Sequence, residues 1–344
     1  MRGTTVFHAP RRRMATIAIA LTCTAAAACG TTETAAQPDR AAQPVRISTA
    51  YELPGEGVYP EGIAADPRTG DTYVGSYATG AVYRATPGTQ RAEVFLPAGA
   101  EGRKTANGLR VDPAGRLWVT DSTAGVTVYD IATRALIARF DVPGPAPRFV
   151  NDIAITPDGT AYLTDSSRNI VYRVTAAQVA EVAAHGGRAD LTTGFDLTPA
   201  VAPHGADAFT LNGIVADAAG RYLLVVDMNA GELFRVALTP NAADPIRKVN
   251  LNGGNMIHGD GLELRDNTLW VVQNTDNAIS RWSIGDDGAT ATLDQRIADE
   301  SLGLPTTSVH SNNQNLVVAS QFDKGGPMGP GTPKPFTVVA VTGI

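Results

Sequence analysis

Apolar and polar positions alternate through most of the chain, in runs of about four to eight residues broken by Gly, Pro, Asp or Asn. "GLRVDP", "RLWVTDS", "GVTVYDIA" and "LIARFDVP" follow one another from Gly108 to Pro143. A period of two predicts strands, and no segment offers an amphipathic helix longer than about 12 residues. The pattern also repeats. "TANGLRVDPAGRLWVTDS" (Thr105 to Ser122), "RFVNDIAITPDGTAYLTDS" (Arg148 to Ser166) and "TLNGIVADAAGRYLLVVDM" (Thr210 to Met228) share one plan. Each has a polar residue, a strand, a Pro/Asp/Gly turn and a second strand. The openings fall at Glu61, Asn107, Asn151, Asn212, Asp260 and Thr306, separated by 46, 44, 61, 48 and 46 residues. Four strands per unit at this spacing predict a six-bladed β-propeller. Even spacing and the lack of a linker count against a sandwich array or two domains. The one long step holds an insertion, Ala183 to Gly205, read as a loop, with a short helix over Ala176 to Ala184.

The ends of the repeat array predict how the ring closes. The last repeat supplies three strands, "TTSVHS", "NLVVASQF" and "FTVVAVTG", joined through a loop from Lys324 to Phe336. "VRISTAYEL" (Val45 to Leu53) precedes the first repeat and has no partner within it. It is expected to be the outer strand of the sixth blade, which removes an open edge.

Antiparallel pairing within a blade puts the start of the first strand and the end of the second at one face. Glu61, Asn107, Asn151, Asn212 and Asp260 are therefore expected around one mouth of the central channel, with Asp121, Asp165, Asp227, Asn274 and Gln321 near the same face. Oxygen donors without His or Cys suit a hard divalent cation, calcium above all. Asn and Asp also cap turns without binding anything, which is the plainer reading of the second-strand residues. Recurrence in register favours a ligand site for the five openings.

Charge and cysteine usage narrow the setting. The formal net charge is −6, and no basic stripe points to nucleic acid. "RRR" (Arg11 to Arg13) leads into "MATIAIALTCTAAAAC" (Met14 to Cys29), the pattern of a secretory signal with a lipobox-like end. Residues 1–28 are expected to be removed and Cys29 lipidated, leaving residues 29–44 as a flexible tether and 45–344 as the propeller. A cell-envelope lipoprotein is expected, touching the membrane only through that anchor; plain secretion is the alternative. Losing four Arg and no acid leaves 24 basic and 34 acidic residues, a charge of −10. Besides Cys29 the one other cysteine, Cys23, lies in the signal, so no intramolecular disulfide is expected.

These openings resemble the senescence-marker-protein/gluconolactonase (regucalcin and sugar-lactonase) family, over the span from about Tyr51 to the C-terminus. Glu61-Gly62 is similar to that family's metal-binding Glu-Gly, Asn212-Gly213 to its Asn-Gly, and Asp260-Gly261 to its Asp-Gly. "RFVND" resembles a substrate-touching Arg-Phe-Asn-Asp stretch, with Val150 inserted between Phe149 and Asn151. The resemblance implies a divalent cation on Glu61, Asn212 and Asp260, with Asn151 beside it. It implies substrate contacts from Arg148 and Asn151; Asn107, which has no fixed family counterpart, joins them from its place in the ring. Asp260 is implied as the base in hydrolysis of a small-molecule lactone or related ester. His258 and His310 lie near strand openings and are alternative bases; His204 is expected on the surface. There is no Gly-x-Ser-x-Gly elbow and no phosphate-binding glycine loop. The second repeat also resembles NHL-type repeats, so a non-catalytic binding propeller with a structural calcium is the competing reading.

Overall fold

The computed structural model describes residues 44–344, apart from 240, 241 and 313, together with Gly3. The signal segment, Cys29 and the tether up to residue 43 lie outside the described residues. Strand β1 (Arg46–Glu52) comes first in the chain but belongs to the last blade. Blade one is β2 (Pro60–Ala65), β3 (Thr72–Ser76), β4 (Val82–Ala85) and β5 (Glu93–Leu96). Blade two is β6 (Leu109–Val111), β7 (Arg116–Asp121), β8 (Gly125–Asp130) and β9 (Leu136–Asp141). Blade three takes β10 (Val150–Ile155), β11 (Ala161–Asp165) and β12 (Ile170–Val174).

The chain then forms helix α1 (Ala176–Ala184), started by a reciprocal capping box between Thr175 and Gln178. The insertion that follows is not wholly a loop. Strand β13 (Arg188–Asp190) adds in parallel to the outer edge of blade two, and β14 (Thr192–Asp196) becomes the outer strand of blade three. Polar, partly exposed segments such as these carry little apolar alternation, because an edge strand buries less of each face.

Blade four is β15 (Leu211–Ala216), β16 (Tyr222–Asp227), β17 (Glu232–Ala237) and β18 (Ile246–Lys248). Strand β19 (Asn250–Asn252) pairs in parallel with the outer edge of blade five, which is β20 (Gly259–Arg265), β21 (Thr268–Gln273), β22 (Ala278–Gly285) and β23 (Thr290–Ala298). Blade six is β24 (Pro305–Ser311), β25 (Gln314–Ala319), β26 (Thr337–Thr342) and then β1. The N-terminal strand completes the last blade, as the sequence predicts. Tyr51, on β1, also shares a 2.8 Å hydroxyl–hydroxyl bond with Thr72 of blade one, so the clasp ties the sixth blade to the first.

The apolar core is six inter-blade layers rather than one centre. Blades one and two bury Tyr73, Phe95, Leu109 and Leu117 together. Blades six and one bury Val318, Val338, Ile63 and Tyr83, with Tyr51 and Leu53 of the clasp. Each blade therefore packs both of its faces. That explains the near-continuous apolar runs of central strands such as "YLLVVD", whose six residues are all buried.

Candidate functional site

In five blades the innermost strand carries a register shift at the polar opening. Pro60 faces Ser76 and Ile63 faces Val74, so Glu61 and Gly62 together oppose one residue. The same two-against-one count falls on Asn151-Asp152, Asn212-Gly213, Asp260-Gly261 and Thr306-Thr307. A bulge re-aims a side chain out of the strand's alternation. It turns each polar residue into the channel instead of into an inter-blade layer.

The following glycine has a steric cause. A Cβ at Gly62 would meet the Asn107 carbonyl oxygen at 2.0 Å, and one at Gly213 would meet the Asp260 carbonyl at 2.2 Å. In blades one, two, four and five the glycine is the seat for the next blade's opening residues. Threonine hydroxyls fasten the equivalent carbonyls of other blades: Thr120 donates to Asn151 O at 2.6 Å, Thr164 to Asn212 O at 2.7 Å and Thr306 to Glu61 O at 2.6 Å. The last bond closes the ring between blades six and one.

All five expected ring residues are buried, from Asn107 at 0% to Glu61 at 7% exposed. Their amides are half satisfied. Asn107 Nδ2 donates to Ser122 Oγ at 2.9 Å and Asn151 Nδ2 to Ser166 Oγ at 3.1 Å, while both Oδ1 atoms are buried with no hydrogen-bond partner. The serines hold the amide groups so that the oxygens are left over. Asn212 Nδ2 lies 3.3 Å from Met228 Sδ, a weaker acceptor at the same position.

The carboxylates are uncompensated. Burial, then the charges of Asp260 and Asp152, push Glu61 well above the ordinary range. Burial pushes Asp260 up to about 7, opposed by hydrogen bonds from Asn274 and Asn212 and reinforced by Asp152. Asn274 Nδ2 donates to Asp260 Oδ2 at 2.8 Å. Asp152 is itself raised by burial, and its nearest cation is Arg110 at 3.9 Å. Asp152 is a functional candidate that pattern reading passed over. The signal was present: it fills the slot held by Gly62, Gly108, Gly213 and Gly261.

This donor set fits a hard cation in its chemistry: repelling carboxylates and two orphaned amide oxygens, with no sulfur or imidazole. Among the described residues, no group of three or more His, Cys, Asp or Glu side chains stands close enough to hold a metal. A cation here would therefore rely on the amide oxygens as well as on Glu61 and Asp260.

The other expected residues are engaged in local bonds or lie elsewhere. Arg148 donates to Gly144 O at 2.8 Å and lines a cleft with Lys104, Arg139 and Arg188, so its guanidinium is engaged by its own loop. Asp121, Asp165 and Asp227 accept backbone N–H groups of their turns, as at Thr123, Ser167 and Asn229. Gln321 is bonded in both directions to Lys334. His258 precedes β20 and pairs with Asp276 at 2.7 Å. His310 is not at the mouth. It lies five residues beyond Pro305, toward the far end of β24, its ring tilted by 51° against Trp270 at 4.0 Å, where burial pushes it down to about 4. His204 sits in the loop before blade four, 3.2 Å from the Asn169 amide.

No family model matches the chain, and no curated protein does. Solved structures do. A gluconolactonase from Xanthomonas campestris, XC5397, is 17% identical, with 86% of this chain and 89% of that one covered and a TM-score of 0.58. Luciferin-regenerating enzyme is 12% identical over 88% and 96%, with a TM-score of 0.60. Virginiamycin B lyase from Staphylococcus aureus is 12% identical over 87% and 99%, with a TM-score of 0.55. The likeness to a gluconolactonase, a luciferin-regenerating enzyme and a lyase is one of overall fold.

Proposed function

We propose that the chain is a metal-dependent hydrolase of lactones or related esters, with its reaction centre at the channel mouth. The observation that carries this reading is the burial of mutually repelling Glu61 and Asp260, with the unpartnered oxygens of Asn107 and Asn151 at the matching positions of other blades. The fold shared with a gluconolactonase agrees with it.

Glu61, Asn212 and Asp260, with Asn151 beside them, would hold the cation, and calcium suits amide and carboxylate oxygens best. When bound, it supplies Lewis acidity at the substrate carbonyl. Asp260 takes the proton of the attacking water. Its Oδ2 is fixed by the Asn274 amide at 2.8 Å, which orients the carboxylate. Asn107 orients the substrate from the adjoining blade. The burial of these side chains strengthens each of these interactions.

A non-catalytic propeller with a structural calcium is favoured by one observation, the near-complete burial of all five ring residues. Calcium titration by calorimetry beside lactone hydrolysis separates the two. Asp260→Asn should retain more cation affinity than Asp260→Ala yet lose about 100-fold or more in turnover, since an amide ligates but takes no proton. Wild-type turnover in Asp260→Asn rejects Asp260 as the base. Calcium binding without hydrolysis of any lactone or ester leaves the binding propeller.

A further inference from the structure

A chain of aromatic rings crosses the face above the polar ring. Phe336 meets Tyr59 at 5.0 Å, Tyr59 meets Phe322 at 6.4 Å, and Phe322 meets Tyr77 at 5.4 Å. Tyr77 continues to Phe149 at 6.5 Å, stacked, and Phe149 to Phe209 at 4.7 Å. Blades six, one, three and four contribute, so Tyr77 and Phe149 span the rim over blade two.

The arc borders the proposed reaction centre. Tyr59 and Phe149 stand two residues before Glu61 and Asn151, at the entrances to β2 and β10. The Tyr77 phenol is pushed up by burial and then by the Glu61 charge, so Tyr77 stands within that carboxylate's field. Phe209 keeps 46% of its surface exposed, and Tyr77 and Phe149 are only partly buried. Polar side chains beside the arc are in part already engaged. Arg148 Nη1 donates to Gly144 O, the Tyr59 hydroxyl donates to Lys324 O, and phenylalanine offers neither donor nor acceptor. A sugar ring can stack on an aromatic face, but its hydroxyl rim would lose water against Phe149 and Phe209 without replacement.

We propose that the Tyr77–Phe149–Phe209 arc selects a substrate with an apolar arm, a lactone or ester carrying an alkyl or aryl substituent, over a polyhydroxylated sugar lactone. The inference rests on the hydrolase reading for its carbonyl site, but it concerns binding and is tested by binding. Lactams keep the carbonyl and ring and resist hydrolysis. Calorimetry with a γ-lactam bearing an octyl chain and with a polyhydroxylated δ-lactam is run on the full chain, on Phe149→Ser, on Phe209→Ser and on Leu136→Ser. Leu136 is a control, 39% exposed on the outer strand of blade two.

The octyl lactam should bind wild type at least tenfold tighter, with about three- to fourfold per methylene as the chain is lengthened. Phe149→Ser and Phe209→Ser should each weaken the octyl lactam about tenfold, while Leu136→Ser leaves it unchanged. Phe209→Ser, at a half-exposed position, keeps the test open if Phe149→Ser does not fold. Equal affinities, tighter binding of the polyhydroxylated lactam, binding of neither, or equal weakening of both ligands by the serine variants would overturn the proposal. Hydrolysis of the matching lactones is read in parallel. Selective octyl-lactam binding without turnover of either lactone sinks the hydrolase reading and leaves this one; turnover confined to the polyhydroxylated lactone does the reverse.

Discussion

The buried carboxylates make the cation-free protein sensitive to pH in an unusual direction. The folded-state pKa of Asp260 stands at about 7, above an ordinary 3.8, and that of Glu61 is also raised. A carboxyl raised on folding adds no penalty below its unfolded pKa, where both states are protonated. As pH climbs toward the folded pKa the unfolded chain loses its proton first, and stability falls. For Asp260 the shift of about 3 units is worth about 4 kcal/mol at 1.36 kcal/mol per unit, accumulated between about pH 4 and pH 7. Glu61 is coupled to it, so the two titrate as a pair rather than as independent groups. An unfolding entropy of about 2.1 cal/mol/K per residue over roughly 300 residues turns 4 kcal/mol into about 6 °C. The assay is thermal unfolding by circular dichroism in chelator from pH 4 to pH 8, repeated with millimolar calcium. Without cation the melting temperature should fall by several degrees across that window. Calcium in thousandfold excess over its Kd should return about 4 kcal/mol at neutral pH. A curve flat in pH in chelator, or the same slope with and without calcium, would refute the argument that these carboxylates are buried, uncompensated and waiting on a cation.

Other tests address the frame. Tyr51→Ala should cost about 3–5 kcal/mol, since it empties a nearly buried site and cuts the bond to Thr72; chemical denaturation measures it. A chain starting at residue 45 should melt like one starting at residue 30, and one starting at residue 54 should melt far lower; equal melting for all three rejects the clasp. Gly62→Ala should destabilise by more than about 2 kcal/mol, because its Cβ would lie 2.0 Å from the Asn107 carbonyl, whereas Gly88→Ala meets no atom within 4 Å and is limited to the strain of its φ of +82°. If Cys29 is lipidated, Cys29→Ser should move the protein out of the membrane fraction, and a wild-type protein already found free in the medium would contradict that expectation.

Blade number and closure were legible because they depend on spacing. Six polar openings at near-even steps, three strands in the last repeat and one unpartnered N-terminal strand leave few ways to close a ring. Strands β13, β14 and β19 were not legible. They are short, lie at sheet edges and bury little, so "RAD" and "NLN" carry no alternation that separates them from loop. His310 was misplaced for a related reason: nearness to a strand opening in sequence does not give its height along the strand. Five residues of a strand rise by about 17 Å, enough to carry a side chain from one face of the propeller toward the other.

The ring itself was half legible, and the missing half is its physical cause. Recurrence gave Glu61, Asn107, Asn151, Asn212 and Asp260, but strict alternation would have turned some of them into the blade interfaces. The bulge redirects Glu61, Asn151, Asn212 and Asp260, and in three of these four blades a glycine follows the polar residue. Blade three breaks that rule with Asp152, and the break adds a third carboxylate to the repulsion on Glu61 and Asp260. If Asp152 serves to tune that pair, Asp152→Asn should lower the apparent pKa of the pair and flatten the pH dependence of melting in chelator. Asp152→Gly, which restores the pattern of the other blades, should do the same. A wild-type slope in both variants would mean that Arg110 already neutralises Asp152 at 3.9 Å and that the departure from glycine serves packing alone.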